Sequence, residues 1–573
     1  MAMKRIVAVL LIVTGVVQVA GDTRRRAVRI PSLATLPVAN FIDTQIGGKL
    51  SANGISPAPI AGDEEFLRRV TLDLTGMIPT SADVQAFLAD TRADKRARKI
   101  DALLNSDAFT DRWTMWFGDL VQNVQVANNS REYYIGKNAY YTWIHESIRT
   151  GKPYDLMVRE LVAGEGDSFQ TGVANYVVRQ IQRNGPPQDT LDNLAAHSAE
   201  KFLGIPMLCI SCHSGGGHLE LVNSWLREKK REDFWKMAAF FSRTTARGER
   251  YVDPANPNQN IIKFNVGVNP AGAYFLNTTD GNKTPRAPAE GQPNFVTPAF
   301  ITTGETPKPG EPYRVAYGRM LTADRQFARA AANYLWKEML GRGLVEPVNA
   351  FDLSKLTTQP SHPALLEALT DELIARNYSL REFLRTIALS NTYQLSAQYP
   401  GTDPDDSYFA RRSPRRLSAE VLFDAIASAT AVPAPFTVQG MTTPVTRAMQ
   451  LPDPLDARRV GATGFINNFG RGNRDDVLRT NDTAISQSLA LMNDTTITTR
   501  VKRNNNSTVQ KILGSTNDPG SITDQLYLAT LSRRPTAQER QIAVDYLKAG
   551  TPLGDRAEDL QYVLLNSLEF LFN

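Results

Sequence analysis

Cysteine and histidine are scarce in this chain: 2 and 5 among 573 residues. Two cysteines allow one bridge at most, which excludes a disulfide-built scaffold. Charge of one sign is also lacking. Lys plus Arg number 64 against 59 Asp plus Glu, a formal +5, too small an excess to argue for a nucleic-acid partner or an anionic membrane surface. After the first residues, no stretch reaches the roughly 18 consecutive apolar residues of a membrane span. What is present, 42% hydrophobic and 21% charged residues, is ordinary globular composition. At about 150 residues per domain the chain has length for several units.

The N-terminus has the order of a secretory signal peptide: Lys4 and Arg5, an apolar run from Ile6 to Val17, then a softer stretch to Gly21. Cleavage after Ala20 or Gly21 is expected, giving a signal peptide over 1–21 and a secreted protein, periplasmic or extracellular, with no integral membrane domain once cleaved. An uncleaved anchor held by Arg24, Arg25 and Arg26 is the alternative.

Periodicity predicts a mainly α protein: two helical domains joined by a Gly/Pro/Asn/Thr-rich connector with short β segments. An N-terminal extension covers 22–60 and the first helical domain 61–245. In that domain Ser81 is placed as an N-cap for the helix carrying Val84, Phe87 and Leu88, and Trp113, Trp116 and Phe117 as core. His145 reads as a satisfied histidine in the same helical layer. The connector spans 246–313, with Ala299-Phe300-Ile301-Thr302 as a β-type run. The second helical domain spans 314–573. It opens on a helix from Asp324 to Leu340 stopped by Gly341, and it closes on a helix from Ala557 to Phe572.

Both cysteines fall in one pentapeptide, Cys209-Ile210-Ser211-Cys212-His213. C-x-x-C-H is the attachment sequence of c-type haem. Two thiols one turn apart can join the vinyl groups on one porphyrin edge, and the adjoining imidazole can reach the iron. One haem c is therefore expected, with Cys209 and Cys212 as anchors and His213 as axial metal ligand. Three other readings stay open: a Cys209–Cys212 disulfide, a zinc or iron site that adds His213 and His218, and a thioredoxin-like redox pair. The sixth iron ligand is not readable. Met207, Met237 and His197 are candidates that read more simply as packing or surface, and His218 follows too closely to wrap round to the opposite face.

Several further segments, in order, resemble the planctomycete-type secreted cytochrome c family. They begin with Phe66-Leu67-Arg68-Arg69-Val70-Thr71-Leu72-Asp73-Leu74-Thr75-Gly76 and Phe202-Leu203-Gly204 before the haem motif, with Ala238-Ala239-Phe240-Phe241 after it. Asn333-Tyr334-Leu335-Trp336, Gly341-Arg342-Gly343, His362-Pro363, Ser390-Asn391-Thr392-Tyr393, Arg415-Arg416-Leu417 and Glu569-Phe570-Leu571-Phe572-Asn573 are similar to the family's C-terminal companion domain of unknown function. The resemblance implies a cytochrome-like, secreted protein. Relatives usually continue the haem motif with an acidic residue, a histidine and a proline, whereas here a glycine run precedes His218.

No catalytic constellation is readable. Gly166-Asp167-Ser168 resembles an esterase nucleophile block without a partner histidine. Arg411, Arg412, Arg415 and Arg416 read as a solvated basic face or, less simply, a contact for an anionic polymer. The expectation is a single-haem electron-transfer or redox protein with a redox partner protein. Its alternative is a secreted binding or assembly module, polysaccharide-associated, in which Cys209–Cys212 is a structural disulfide. A saccharide hydrolase would need a facing pair of carboxylates, which the sequence does not locate.

Overall fold

The computed structural model describes residues 40–125, 134–278, 283–459, 463–474, 479, 485–503, 506–550 and 552–573. The expected signal peptide and residues 22–39 of the extension lie outside them. The fold is mainly α, as the periodicity predicts. Among the described residues, no helix is long and apolar enough to cross a membrane.

Order begins before residue 61. Asn40 caps helix Phe41–Ala52 by accepting the amides of Ile42 and Asp43, and Ile42, Ile46 and Leu50 face the core. Helix Asp63–Thr75 is buried continuously from Phe66 to Thr75 and ends on Gly76, whose φ of 66° suits a residue without a Cβ. The cap of helix Ser81–Ala89 is Thr80, one residue before the expected Ser81, because Thr80 and Asp83 form a reciprocal capping box. Trp113, Trp116 and Phe117 on helix Asp107–Leu120 are core, and the Trp113 indole donates to the Leu74 carbonyl at 3.2 Å. His145 lies 3.3 Å from the Asp111 carboxylate, the satisfied histidine expected.

The connector contains more strand than composition suggests. Strand β1 (Gly166–Asp167) pairs antiparallel with β3 (Asn256–Val268), which pairs antiparallel with β2 (Thr244–Asp253), and a small second sheet joins β4 (Tyr274–Phe275) to β5 (Phe295–Val296). Residues 247–252 of β2 and 256–260 of β3 are exposed, so the apolar alternation that marks a half-buried strand is missing there. The β-type run expected at Ala299 to Thr302 is instead a turn. Phe300 is buried there, and its carbonyl accepts the amide of Gly304. Nor is the connector loose: Arg286, fully buried, pairs with Asp189 and Asp192 on helix Pro187–Ser198 at 2.6 Å each.

In the C-terminal half, Asp324 caps helix Arg325–Leu340, and Pro363 occupies the first turn of helix Pro363–Ala375 after His362. The helix expected from Ala557 to Phe572 is two, Leu553–Leu565 and Leu568–Leu571. The Ser567 hydroxyl starts the second by accepting the Phe570 amide.

The apolar cores do not divide at the connector. One runs from Ile42 through Ala410, with a late addition at Leu528. The other begins at Leu417 and takes in Leu72, Ile78 and Met115 from the N-terminal half.

Candidate functional site

Cys209 lies in a 3-10 turn, Met207–Ser211, with Cys212 immediately after it. Residues i and i+3 eclipse in a 3-10 turn, and Cys212 lies three residues after Cys209, just past the end of this one. Both cysteines are free, Cys209 exposed and Cys212 half-buried. The turn is pinned from inside: Met207 and Ile210 are buried, and the Ser211 hydroxyl donates to the Leu208 carbonyl at 2.7 Å. Three large apolar side chains in the same stretch face solvent: Leu208 at 55%, Leu221 at 101% and Val222 at 72%.

The imidazoles of His213 and His218 are both exposed and meet edge to face, with ring centroids 3.8 Å apart. That contact needs the intervening glycines. A Cβ on Gly215 would fall 1.9 Å from the Leu226 carbonyl, so only glycine lets the loop lie backbone against backbone on helix Ser224–Arg227. Gly217 turns with φ of 92°. Among the described residues, no three His, Cys, Asp or Glu side chains converge on a metal position.

Two anchors, neither apparent in the motif, fix the loop. Arg231 donates Nε to the Ser211 carbonyl at 2.9 Å and Nη1 to the Pro285 carbonyl at 2.8 Å, while its backbone amide bonds the Ser214 hydroxyl. Its guanidinium also stacks over Trp235. On the other side Asp352, from the C-terminal half, accepts the amides of Ser224 and Trp225 at 2.7 and 3.0 Å, and these donors hold its carboxyl below the usual range although burial alone would raise it. The motif is thus held between the connector and the C-terminal half. The acidic residue just before a short helix was the signal for Asp352, but its partner is far away in sequence.

The candidate sixth ligands are occupied in packing. Met207 and Met237 are fully buried, and the Met237 sulfur accepts the Ile301 amide at 3.3 Å. His197 is buried with Nδ1 3.3 Å from the Tyr176 hydroxyl, and burial drives its pKa well below the ordinary value. Ser168 is no nucleophile: it is fully buried, and its hydroxyl accepts the Phe264 amide at 3.0 Å to seat strand β3.

The C-terminal arginines are not a solvated face. Arg412 and Arg415 close on the carboxylate of Asp73, which also accepts the Tyr393 hydroxyl and the Asn573 side-chain amide at 2.8 Å each. Burial would raise Asp73, but the two guanidinium groups hold it below its ordinary value. Arg416 is buried, bonded to the Leu417 carbonyl and over the Phe469 ring. Arg411, on Asp403, and Arg415 stay half-buried. Reading charge locally predicts solvation; the partner that buries these groups sits in helix Asp63–Thr75, in the apolar setting Leu72-Asp73-Leu74.

Residues 41–246 match the family model PSCyt2, described as a protein of unknown function (DUF1549), and residues 314–547 match PSD1, described as a protein of unknown function (DUF1553). No curated protein and no solved structure matches the chain. The two matched regions, in that order along one chain, fit the two-domain planctomycete-type arrangement.

Proposed function

We propose that Cys209, Cys212 and His213 hold a single c-type haem and that the chain is a secreted electron-transfer or redox protein. The observation that carries this reading is the state of the motif in the fold: unbridged, accessible thiols on an anchored turn, beside apolar side chains left bare to water. Leu208, Leu221 and Val222 leave apolar surface bare in the segment that carries the motif, and a porphyrin face is apolar and flat enough to cover such surface.

The residues present fit the group. The thiols of Cys209 and Cys212 would tether it, the His213 imidazole would ligate its metal, and His218, packed against the His213 ring, would limit that ring's rotation. Bound there, the haem would supply reversible one-electron chemistry. The protein's own part is rigidity: Arg231 and Asp352 keep the turn in place from both sides, so little rearrangement accompanies loading. An exposed site also suits exchange with a redox partner protein.

The test is a pyridine haemochrome spectrum of the full chain made in a host with c-type maturation. One covalent haem per chain is expected, lost in the Cys209→Ala, Cys212→Ala variant, with a changed axial spectrum in His213→Ala. Absence of a haem band, together with a mass showing Cys209 bridged to Cys212, would overturn the proposal and return the site to a structural disulfide.

A further inference from the structure

The chain's 5 histidines all have a defined place in the fold. His145 lies on Asp111, and His362 is buried against Phe409. His197, 8% exposed, has Nδ1 3.3 Å from the Tyr176 hydroxyl, and its Nε2 is enclosed in the core without a partner. His218 stays with His213: the rings touch edge to face, and the loop that carries it is tied at both ends. The Gly215 amide donates to the Lys229 carbonyl at 2.9 Å. At the far end the buried Asn223 donates its side-chain amide to the Phe351 carbonyl and accepts the Leu226 amide, at 2.9 Å each. A ring in contact with His213 stands beside it, not across a macrocycle from it.

The two sulfur ligands nearest in sequence are held inward. Met207 and Met237 are wholly buried in the first apolar core, and the Met237 sulfur accepts the Ile301 amide. Turning either side chain out to the surface would empty a core position and, at Met237, take the acceptor from that amide. Donors on the turn and behind it are spent as well. The Ser211 hydroxyl donates to the Leu208 carbonyl, the Arg231 guanidinium to the carbonyls of Ser211, Thr284 and Pro285, and the Lys229 ammonium lies over the Trp225 ring at 4.3 Å. Leu208, Leu221 and Val222, by contrast, face water.

A haem iron with one side-chain ligand keeps its other axial position for an exogenous molecule, and the polarity and hydrogen-bond donors around that position decide which kind. Given the haem reading of Cys209, Cys212 and His213, on which this rests, we propose that the position opposite His213 is left to a small neutral ligand, of the class of carbon monoxide and nitric oxide, and not to a side chain of this chain. Engaged donors and bare leucine and valine side chains give an anion such as azide little to replace its hydration.

The test uses the full chain matured with haem. Its reduced form is titrated with carbon monoxide and its oxidised form with azide, each followed by the absorption spectrum. Expected are a high-spin reduced spectrum, saturation by one carbon monoxide per haem with a shifted Soret band, and no spectral change with azide in large excess. Met207→Leu and Met237→Leu, which conserve side-chain volume, should keep the high-spin spectrum and a carbon monoxide affinity within about twofold of wild type. A low-spin, six-coordinate spectrum that carbon monoxide does not alter would overturn the proposal, and its conversion to high spin in Met207→Leu, Met237→Leu or His218→Gln would name the side chain on the iron. Tight azide binding would overturn the neutral class. A chain without covalent haem would sink the haem reading and this proposal together, whereas a haem band with no response to carbon monoxide sinks this proposal alone.

Discussion

The segment from Cys209 to His218 and the residues around Asp73 handle their polar groups in opposite ways. The first holds the chain's rarest side chains on a surface turn, with thiols and imidazoles accessible and apolar neighbours bare. The second holds common residues gathered from one end of the chain to the other: Asp73, Tyr393 and Arg412 are buried, and Arg415 and Asn573 half-buried beside them. One carries groups free to react; the other has every oxygen of its carboxylate engaged. The difference separates a surface turn with free side chains from a buried tie of the fold. The segments that carry the family resemblance divide in the same way: the C-x-x-C-H segment goes to the surface, while Phe66–Gly76, Ser390–Tyr393, Arg415–Leu417 and the final residues meet at Asp73.

The largest expected effect tests the tie. Asp73 joins a helix of the first apolar core to arginines just ahead of the second. Removing one partner of a buried, hydrogen-bonded ion pair leaves uncompensated charge, at a cost of about 3–5 kcal/mol. Asp73→Ala should lower the urea midpoint accordingly. If the two cores lean on this joint, it should also split a single unfolding transition into two. A variant that unfolds like the wild type would erase the contrast between the regions.

A smaller effect lies in the histidines, which repeat the contrast: His213 and His218 are exposed, His362 buried against Phe409 with Nε2 unpartnered. Burial first, then the nearby Lys49, pulls His362 down to about 4. An unfolded histidine takes up its proton near pH 6.5. The unfolded state therefore binds more protons between these values. The stability from neutral His362 is complete above about pH 6.5 and fades as pH falls toward 4, by roughly 3 kcal/mol. His362→Gln should flatten chemical-denaturation stability over that interval; an unchanged slope would place the acid sensitivity elsewhere.

Much of the helical architecture was legible because it rests on local signals. The 3.6-residue spacing of Trp113, Trp116 and Phe117, proline after His362 and glycine after Leu340 all act within a turn or two. The misreadings arose where a distant partner decides the outcome. Arg412 and Arg416 look solvated until Asp73 and Phe469 are brought to them. Strand β2 has no apolar alternation because residues 247–252 are exposed on both faces. The cysteine motif was visible through the rarity of its residues, whereas Arg231 and Asp352, which hold it still, are common residue types bonded across long separations.

The smallest expected effect completes the comparison. In protein without haem, replacing both thiols, Cys209→Ser with Cys212→Ser, should change unfolding free energy by no more than about 0.5 kcal/mol, the usual range for exposed positions. Cys209 is exposed, and the half-buried Cys212 makes a long 3.7 Å contact between its sulfur and the Ser211 hydroxyl. Neither fills the core that Met207 and Ile210 fill beside them. The same double substitution should abolish covalent haem attachment, so one variant separates the two kinds of residue: a near-zero change in denaturation midpoint with complete loss of the haemochrome band. A loss of several kcal/mol in the haem-free protein would mean that the thiols support the fold as a bridge, and the surface turn would then belong with Asp73 among the ties of the structure.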